Sequence, residues 1–213
     1  MDRKIRKPTQ KRSLEKFNRI VDAAFKLFNE KGYYNTTTAD IAKEANVATG
    51  SVYSYFQDKK DIYIQVLDKI NSSFDYPTKD FWLKNNTEPI NNYIVFKDIF
   101  SEFLKIMILC HNFSNTFHDD MKALELLDED ISSAINENDL IRTQKIYEIF
   151  DILHIPFKSE FDSDIFMHYS NLLVDDVCHK VVYDNTSKDI DLYIDRCAEM
   201  LYSLFKASTT YKE

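Results

Sequence analysis

The residues best suited to chemistry in this 213-residue chain lie between Thr37 and Lys59. Thr49, Gly50 and Ser51 are small, Tyr53 and Tyr55 carry phenolic hydroxyls, and Lys59 brings one ammonium. Small side chains let a helix tip approach base edges closely, while hydroxyls and a lysine reach phosphate oxygens. The chemistry on offer is therefore recognition, not turnover. No separated Ser/His/Asp or Cys/His set stands out, and no nucleophile has a motif around it, so catalysis is not expected. Asp164/His168 and Asp175/His179 stand at i, i+4, a spacing open to a metal. A surface pair supporting its helix by a few tenths of a kcal/mol is the preferred reading, and no metal is expected. Cys110, Cys178 and Cys197 are widely spaced and read as buried reduced thiols. Only two glycines, Gly32 and Gly50, are present, which excludes the glycine-rich phosphate and dinucleotide loops and leaves no cofactor expected.

The elements that position this segment follow from apolar spacing. Phe17, Ile20, Val21, Ala24, Phe25 and Phe28 form a full helical stripe. Ser13 is placed to cap that helix, and Gly32 to relieve the left-handed turn that ends it. Thr37-Thr38-Ala39-Asp40 resembles a capping box opening a short helix through Ala45, with Asp in place of the usual Glu or Gln. Asn46 tolerates the left-handed conformation a tight turn needs. A second short helix is predicted from Thr49 to Phe56, with Val52 and Phe56 inward. Asp58 caps a fourth helix with Ile62, Tyr63, Val66, Leu67 and Ile70 on its apolar side. A longer helix followed by two short ones across a tight turn is a helix-turn-helix unit.

Charge supports the same division. The chain carries −8 overall, yet residues 1–60 hold 13 Lys and Arg against 7 Asp and Glu, and the remainder holds 14 against 28. A basic end faces phosphate and an acidic end is repelled by it. Residues 1–12 read as a flexible basic arm, 13–60 as the helix-turn-helix domain, and 61–213 as a larger helical domain.

Residues 14–67 resemble the DNA-binding domain of the TetR family of transcriptional regulators. The matching text is Ile20-Val21-Asp22-Ala23-Ala24, Phe28, Gly32-Tyr33, Thr37-Thr38, Asp40-Ile41-Ala42, Ala45-Asn46-Val47 and Gly50-Ser51-Val52-Tyr53-Ser54-Tyr55-Phe56 with Lys59. The resemblance implies an all-α fold and a set of DNA contacts. Thr38 aligns with a backbone contact at the start of the second helix. Thr49, Gly50 and Ser51 align with the exposed first turn of the recognition helix. Tyr53 and Tyr55 align with phosphate and groove-wall contacts, and Lys59 with a phosphate-anchoring lysine. Asn46, Ala48 and Gln57 depart from the family's frequent Gly, Ser and Pro. Because Thr49, Gly50 and Ser51 are poor bidentate readers, specificity is expected to lean on thymine methyls, water and DNA shape.

Beyond residue 70 only pattern and analogy remain. Asp75–Pro89 reads as a connector. Helices are predicted to His111, over Ser114–Leu127, and as one or two over Asp130–Leu153, stopped by Pro156. The last two helices, about 163–183 and 189–206, carry apolar stripes, and in TetR-like proteins such a final pair builds a homodimer interface. Residues 61–213 hold 12 Phe, 9 Tyr and the single Trp. From these, Phe103, Met107, His111, Phe117, Tyr147 and Phe150 are candidate walls of a small-molecule pocket, with plain core the blander reading of each. The expectation is a cytoplasmic, homodimeric repressor released from a palindromic DNA operator by a small apolar or aromatic effector. The alternatives are a TetR-like activator or architectural DNA binder without an effector, and an enzyme using the aromatic domain. No run is apolar enough for a membrane span.

Overall fold

The computed structural model describes residues 8–84, 92–111, 113–183 and 189–211. The described residues form helices α1 (Lys11–Lys31), α2 (Thr38–Glu44), α3 (Thr49–Val52), α4 (Lys59–Lys84), α5 (Tyr93–Cys110), α6 (Asn115–Leu127), α7 (Glu129–Ile152), α8 (Glu160–Tyr183) and α9 (Ile190–Ser208). The fold class is all-α, as the sequence predicts. None of the described helices is long and apolar enough to cross a membrane.

The chain divides into two compact units, and not at residue 60. The first comprises the residues up to Ser72 together with Phe113–Asp139, and the second Ser73–Asn112 together with the residues from Leu140 onward. The reason lies in the first core. Ile20, Ala24, Phe28, Ile41, Val52 and Phe56 are buried with Ile62, Tyr63, Val66 and Leu67 of α4, and Phe117, Leu124 and Ile131 of α6 and α7 complete the cluster. Each Val, Leu, Ile or Phe among them contributes about 1.5–3 kcal/mol when fully buried, so a split at residue 60 would strand the apolar face of α4.

Polar bonds fix α6 on α1. The Ser114 backbone N–H donates to Asn29 Oδ1 at 2.7 Å and the Ser114 hydroxyl donates to the Asn29 carbonyl at 2.7 Å. The same hydroxyl accepts from the Phe117 N–H as the N-cap of α6.

In the second unit α5, α8 and α9 enclose Phe96, Phe100, Leu104, Phe166, Val177, Ile194, Cys197, Leu201 and Phe205. Past the end of α7, His154 adopts a left-handed φ of 51°. Beyond it, Lys158 N–H donates to Ser208 O and Thr210 N–H to Pro156 O, both at 2.9 Å, tying the end of α9 to the segment before α8.

Several local expectations change. Ser13 lies inside α1, whose N-cap is Gln10 with no side-chain cap. The helix after the tight turn ends at Val52, because the Ser54 and Tyr55 N–H groups bond to the Ser51 and Val52 carbonyls three residues back as tightened turns. The segment read as a connector from Asp75 is helical to Lys84, with Pro77 inside it. Pro77 removes one helical donor, yet Phe81 is buried in the second core and holds the helix there. Residues 85–89 of that connector lie outside the described residues, as do residues 1–7 of the basic arm and 184–188 of the last turn. Between Asp130 and Leu153 there is one helix, not two.

Candidate nucleic-acid interface

The site is built by two caps and a turn. Thr37 Oγ1 accepts from the Asp40 N–H at 3.1 Å while Asp40 Oδ2 accepts from the Thr37 N–H at 3.0 Å, so the box works with the shorter acid. The Thr37 hydroxyl, donating to Asp40 Oδ2 at 2.6 Å, and then the Thr37 N–H hold the Asp40 carboxyl below its usual range. Asn46 takes φ 51°, and its turn sends the chain into α3. Val52 and Phe56 are buried behind the turn, while Thr49 and Gly50 are exposed and Ser51 is half-buried. A Cβ built on Gly50 meets nothing within 4 Å. Packing therefore gives no reason for a glycine there; close approach by an outside molecule does.

The polar side chains around this tip are paired with one another. Thr38 Oγ1 and the Tyr53 hydroxyl are 2.8 Å apart, and Ser13 Oγ and the Tyr55 hydroxyl 3.1 Å. In the Ser13–Tyr55 pair one hydroxyl donates, so the other keeps its own hydrogen for an acceptor such as a phosphate oxygen. Tyr55 is further oriented by an edge contact with Phe17 at 6.2 Å. These pairs fix the rotamers of α1, α2 and the α3 turn against one another, which lowers the entropy cost of binding.

Lys59 is placed differently from the expectation of a projecting phosphate anchor. Its ammonium donates to the Tyr33 carbonyl at 2.7 Å and the Thr36 carbonyl at 2.9 Å, and sits 4.1 Å from the Tyr33 ring centre. Burial lowers its pKa, partly offset by Asp120. Two of its three donors thus serve the connector between α1 and α2. The Tyr33 carbonyl also accepts from the Thr36 N–H at 3.3 Å, so Lys59 reinforces a turn that the backbone has already closed.

Sequence reasoning missed two participants. Ser13, read as a helix cap, is a partner of Tyr55. Asp120 accepts from the Tyr33 N–H at 2.6 Å across 87 positions, beside Gly32, whose φ is 83°. A Cβ on Gly32 would lie 2.6 Å from Asp120 Oδ2. No local pattern announces a contact of that range.

The six pocket candidates do not come together. Phe117 is fully buried in the first unit, against Phe25 and Tyr63; as the first core residue of α6 it closes the helix-turn-helix core. The other five belong to the second unit and are half-buried. Phe103 stacks near Phe81, and Phe150 contacts Tyr147, Phe157 and Phe166. The Tyr147 hydroxyl donates to Asp164 Oδ1 at 2.5 Å, which assigns that acid a partner other than His168. Burial holds the His111 imidazole below its ordinary pKa. Cys178 and Cys197 are buried thiols pushed up to about 12, whereas Cys110 is only half-buried.

Comparison with known proteins meets this geometry at the same place. Residues 20–66 match the family model described as bacterial regulatory proteins, tetR family. The chain is similar, at 38% identity over 87 residues, to IcaR of Staphylococcus aureus, an HTH-type negative transcriptional regulator of the icaADBC biofilm operon; the match covers 41% of this chain and 42% of that one. Among curated relatives the matched part spans 27% to 42% of their length. The fold as a whole is similar to a TetR-family regulator structure from Mesorhizobium loti, with a TM-score of 0.70, 16% identity, and 93% and 98% of the two chains covered. It is also similar to FadR of Bacillus subtilis in complex with stearoyl-CoA, with a TM-score of 0.59, 20% identity, and 88% and 98% covered.

Proposed function

We propose that this chain, whose residues 20–66 form a TetR-family DNA-binding domain, is a transcriptional repressor acting as a homodimer on a palindromic operator. The observation that carries the reading is the tip of α3: Thr49 and Gly50 face outward over a buried Val52 and Phe56, with paired hydroxyls beside them. Thr38, Thr49, Gly50, Ser51, Tyr53 and Tyr55 are its DNA-contacting set, and Lys59 acts first on the domain's own backbone. The negative regulation named for IcaR supports repression in preference to activation.

Dimerisation is supported by the last two helices. Phe161, Tyr169 and Leu172 of α8 and Tyr193 and Met200 of α9 are large apolar side chains left between 43% and 72% exposed. They fall at helical spacings on helices whose other faces are buried, the pattern of an isologous interface. Two copies supply the two recognition helices that read half-sites about 34–36 Å apart.

Effector control is the finer part of the proposal. Half-buried aromatic side chains of the second unit, Phe103 beside Phe81 and Phe150 beside Tyr147, offer apolar surface for a small apolar or aromatic molecule. Such a molecule releases DNA only to the extent that it binds the two states differently, and DNA weakens it by the same factor.

The test is fluorescence anisotropy on duplexes selected from a randomised palindromic library. Sequence-specific binding that falls steeply with salt is expected, since most contacts go to phosphate. Equal affinity for selected and scrambled duplexes at moderate salt refutes the reading.

A further inference from the structure

The sequence pairs Asp175 with His179 on one helix, and a surface pair is the ordinary reading of that spacing. The fold adds a third group. His111, the residue that caps the end of α5, comes beside them, and one ligand atom from each of His111, Asp175 and His179 lies within 4.8 Å of the other two. All three belong to the second unit. We propose that His111, Asp175 and His179 form a binding site for a divalent transition-metal ion of the zinc, cobalt or nickel class, a reading independent of whether the chain binds DNA.

The donor set fits that class. The two imidazoles are borderline ligands that favour zinc-like ions over magnesium or calcium, which take oxygen, and the carboxylate completes a set that zinc also accepts. Donors around a tetrahedral ion with bonds near 2.0–2.1 Å stand about 3.4 Å apart. The three ligand atoms here lie within 4.8 Å of one another, at most about 1.4 Å beyond that spacing, a gap of the size that side-chain rotations close.

The orientation of His111 is the second observation. Its Nδ1 is 2.8 Å from the Met107 carbonyl. A carbonyl can only accept, so Nδ1 carries the hydrogen and Nε2 keeps the lone pair. A metal-binding histidine is commonly held in this way by a backbone carbonyl. The His111 and His179 rings meet edge to face at 5.8 Å, and Asp175 Oδ2 is 3.5 Å from His179 Nδ1. The Tyr183 ring lies 5.5 Å from His179. His179 and, more weakly, Arg142 of α7 act on His111 as positive groups, and Asp175 acts on it as a negative one.

Two protein nitrogens and one oxygen leave the fourth position of a tetrahedral ion open to water or to an acidic group of a small molecule. The metal would also join the end of α5 to the C-terminal half of α8, two helices already packed in the second core.

The experiment uses the untagged full chain, stripped with a chelator and titrated with Co²⁺ and then Zn²⁺ in the absence of DNA. The expected result is one equivalent of Co²⁺ per chain with visible absorption bands of a tetrahedral or five-coordinate ion, displaced by Zn²⁺. His111→Gln and His179→Gln should each weaken binding at least about tenfold, and Asp175→Asn by a similar or smaller factor. His154→Gln and His168→Gln, outside the cluster, should leave it unchanged. Melting curves recorded without metal separate loss of the site from loss of the fold; His179→Gln carries the test if His111→Gln does not fold. Unaltered Co²⁺ affinity in both His variants, or no saturable binding by the wild-type chain, overturns the proposal.

Discussion

The outer surface around α3 and the outer faces of α8 and α9 are unfinished in opposite ways. Around α3 the apolar groups are already buried, and what faces outward is small or hydroxylated: Thr49, Gly50, and the Thr38–Tyr53 and Ser13–Tyr55 pairs. Along α8 and α9 the reverse holds, with Phe161, Tyr169, Leu172, Tyr193 and Met200 exposed beside helices whose inner faces are packed. A surface with satisfied hydrogen bonds and little apolar area asks for a polar, hydrated partner, as a duplex is. A surface with large exposed apolar groups asks for an apolar one, and a second copy of the same face is the simplest supply. The difference teaches that one chain can prepare two kinds of contact by what it leaves out of its two cores.

The largest effect is expected where that comparison is broken outright. Tyr169→Glu with Leu172→Glu places two charges on the exposed face of α8 without touching the buried Phe166 or Val177. Light scattering after gel filtration should report a monomer for the double variant, against the dimer expected of the wild-type chain. Operator affinity should then fall by about two orders of magnitude, because each half-site must bind without its neighbour. A double variant that remains dimeric removes α8 from the interface.

Gly32→Ala attacks the first unit from within. Its φ of 83° is unfavourable for alanine, and the added Cβ would stand 2.6 Å from Asp120 Oδ2, the acceptor of the Tyr33 N–H. The expected loss is about 2 kcal/mol of stability, read from denaturant unfolding. Gly50→Ala is the sharper contrast. Nothing lies within 4 Å of its Cβ position, so stability should hold or rise by up to about 1 kcal/mol from helix propensity. Operator affinity should nevertheless fall about tenfold by anisotropy, since an added methyl costs close approach. Equal affinity for Gly50→Ala and wild type would mean the tip of α3 does not meet DNA.

These two glycines also mark how far the sequence can be read. Gly32, Asn46, the Thr37–Asp40 box and the burial of Val52 and Phe56 rest on contacts within a few residues, which is why spacing and turn chemistry disclose them. The inward use of Lys59, the acceptance of the Tyr33 N–H by Asp120 and the joining of residues 113–139 to the first core depend on contacts 23 to 87 positions apart. Periodicity carries no information about which distant helix fills a given stripe. The stripe on α8 shows the same limit: Phe166 and Val177 turn inward while Tyr169 and Leu172 turn outward, and an apolar pattern alone does not distinguish a core from an interface. His111 reaching Asp175 and His179 is a third case, with an i, i+4 pair visible in sequence and its third member invisible.

The smallest effect concerns the cap that begins α2. Asp40 is held below its usual carboxyl range first by the Thr37 hydroxyl, then by the Thr37 N–H, with burial opposing them weakly. A carboxyl depressed in the folded state binds its proton more weakly there than in the unfolded chain. Its contribution to stability is therefore complete above its ordinary value near 3.8 and is lost as pH falls through the lower folded value. Asp40→Asn removes the charge and so this dependence. Comparing wild type and Asp40→Asn by denaturant unfolding from neutral pH down to about pH 3 should give curves that converge as the acid is protonated. Because the cap lies in the first unit, the dimer-breaking substitutions on α8 should leave this pH dependence unchanged. Curves that stay parallel across the range would mean that Asp40 holds the start of α2 by shape rather than by charge.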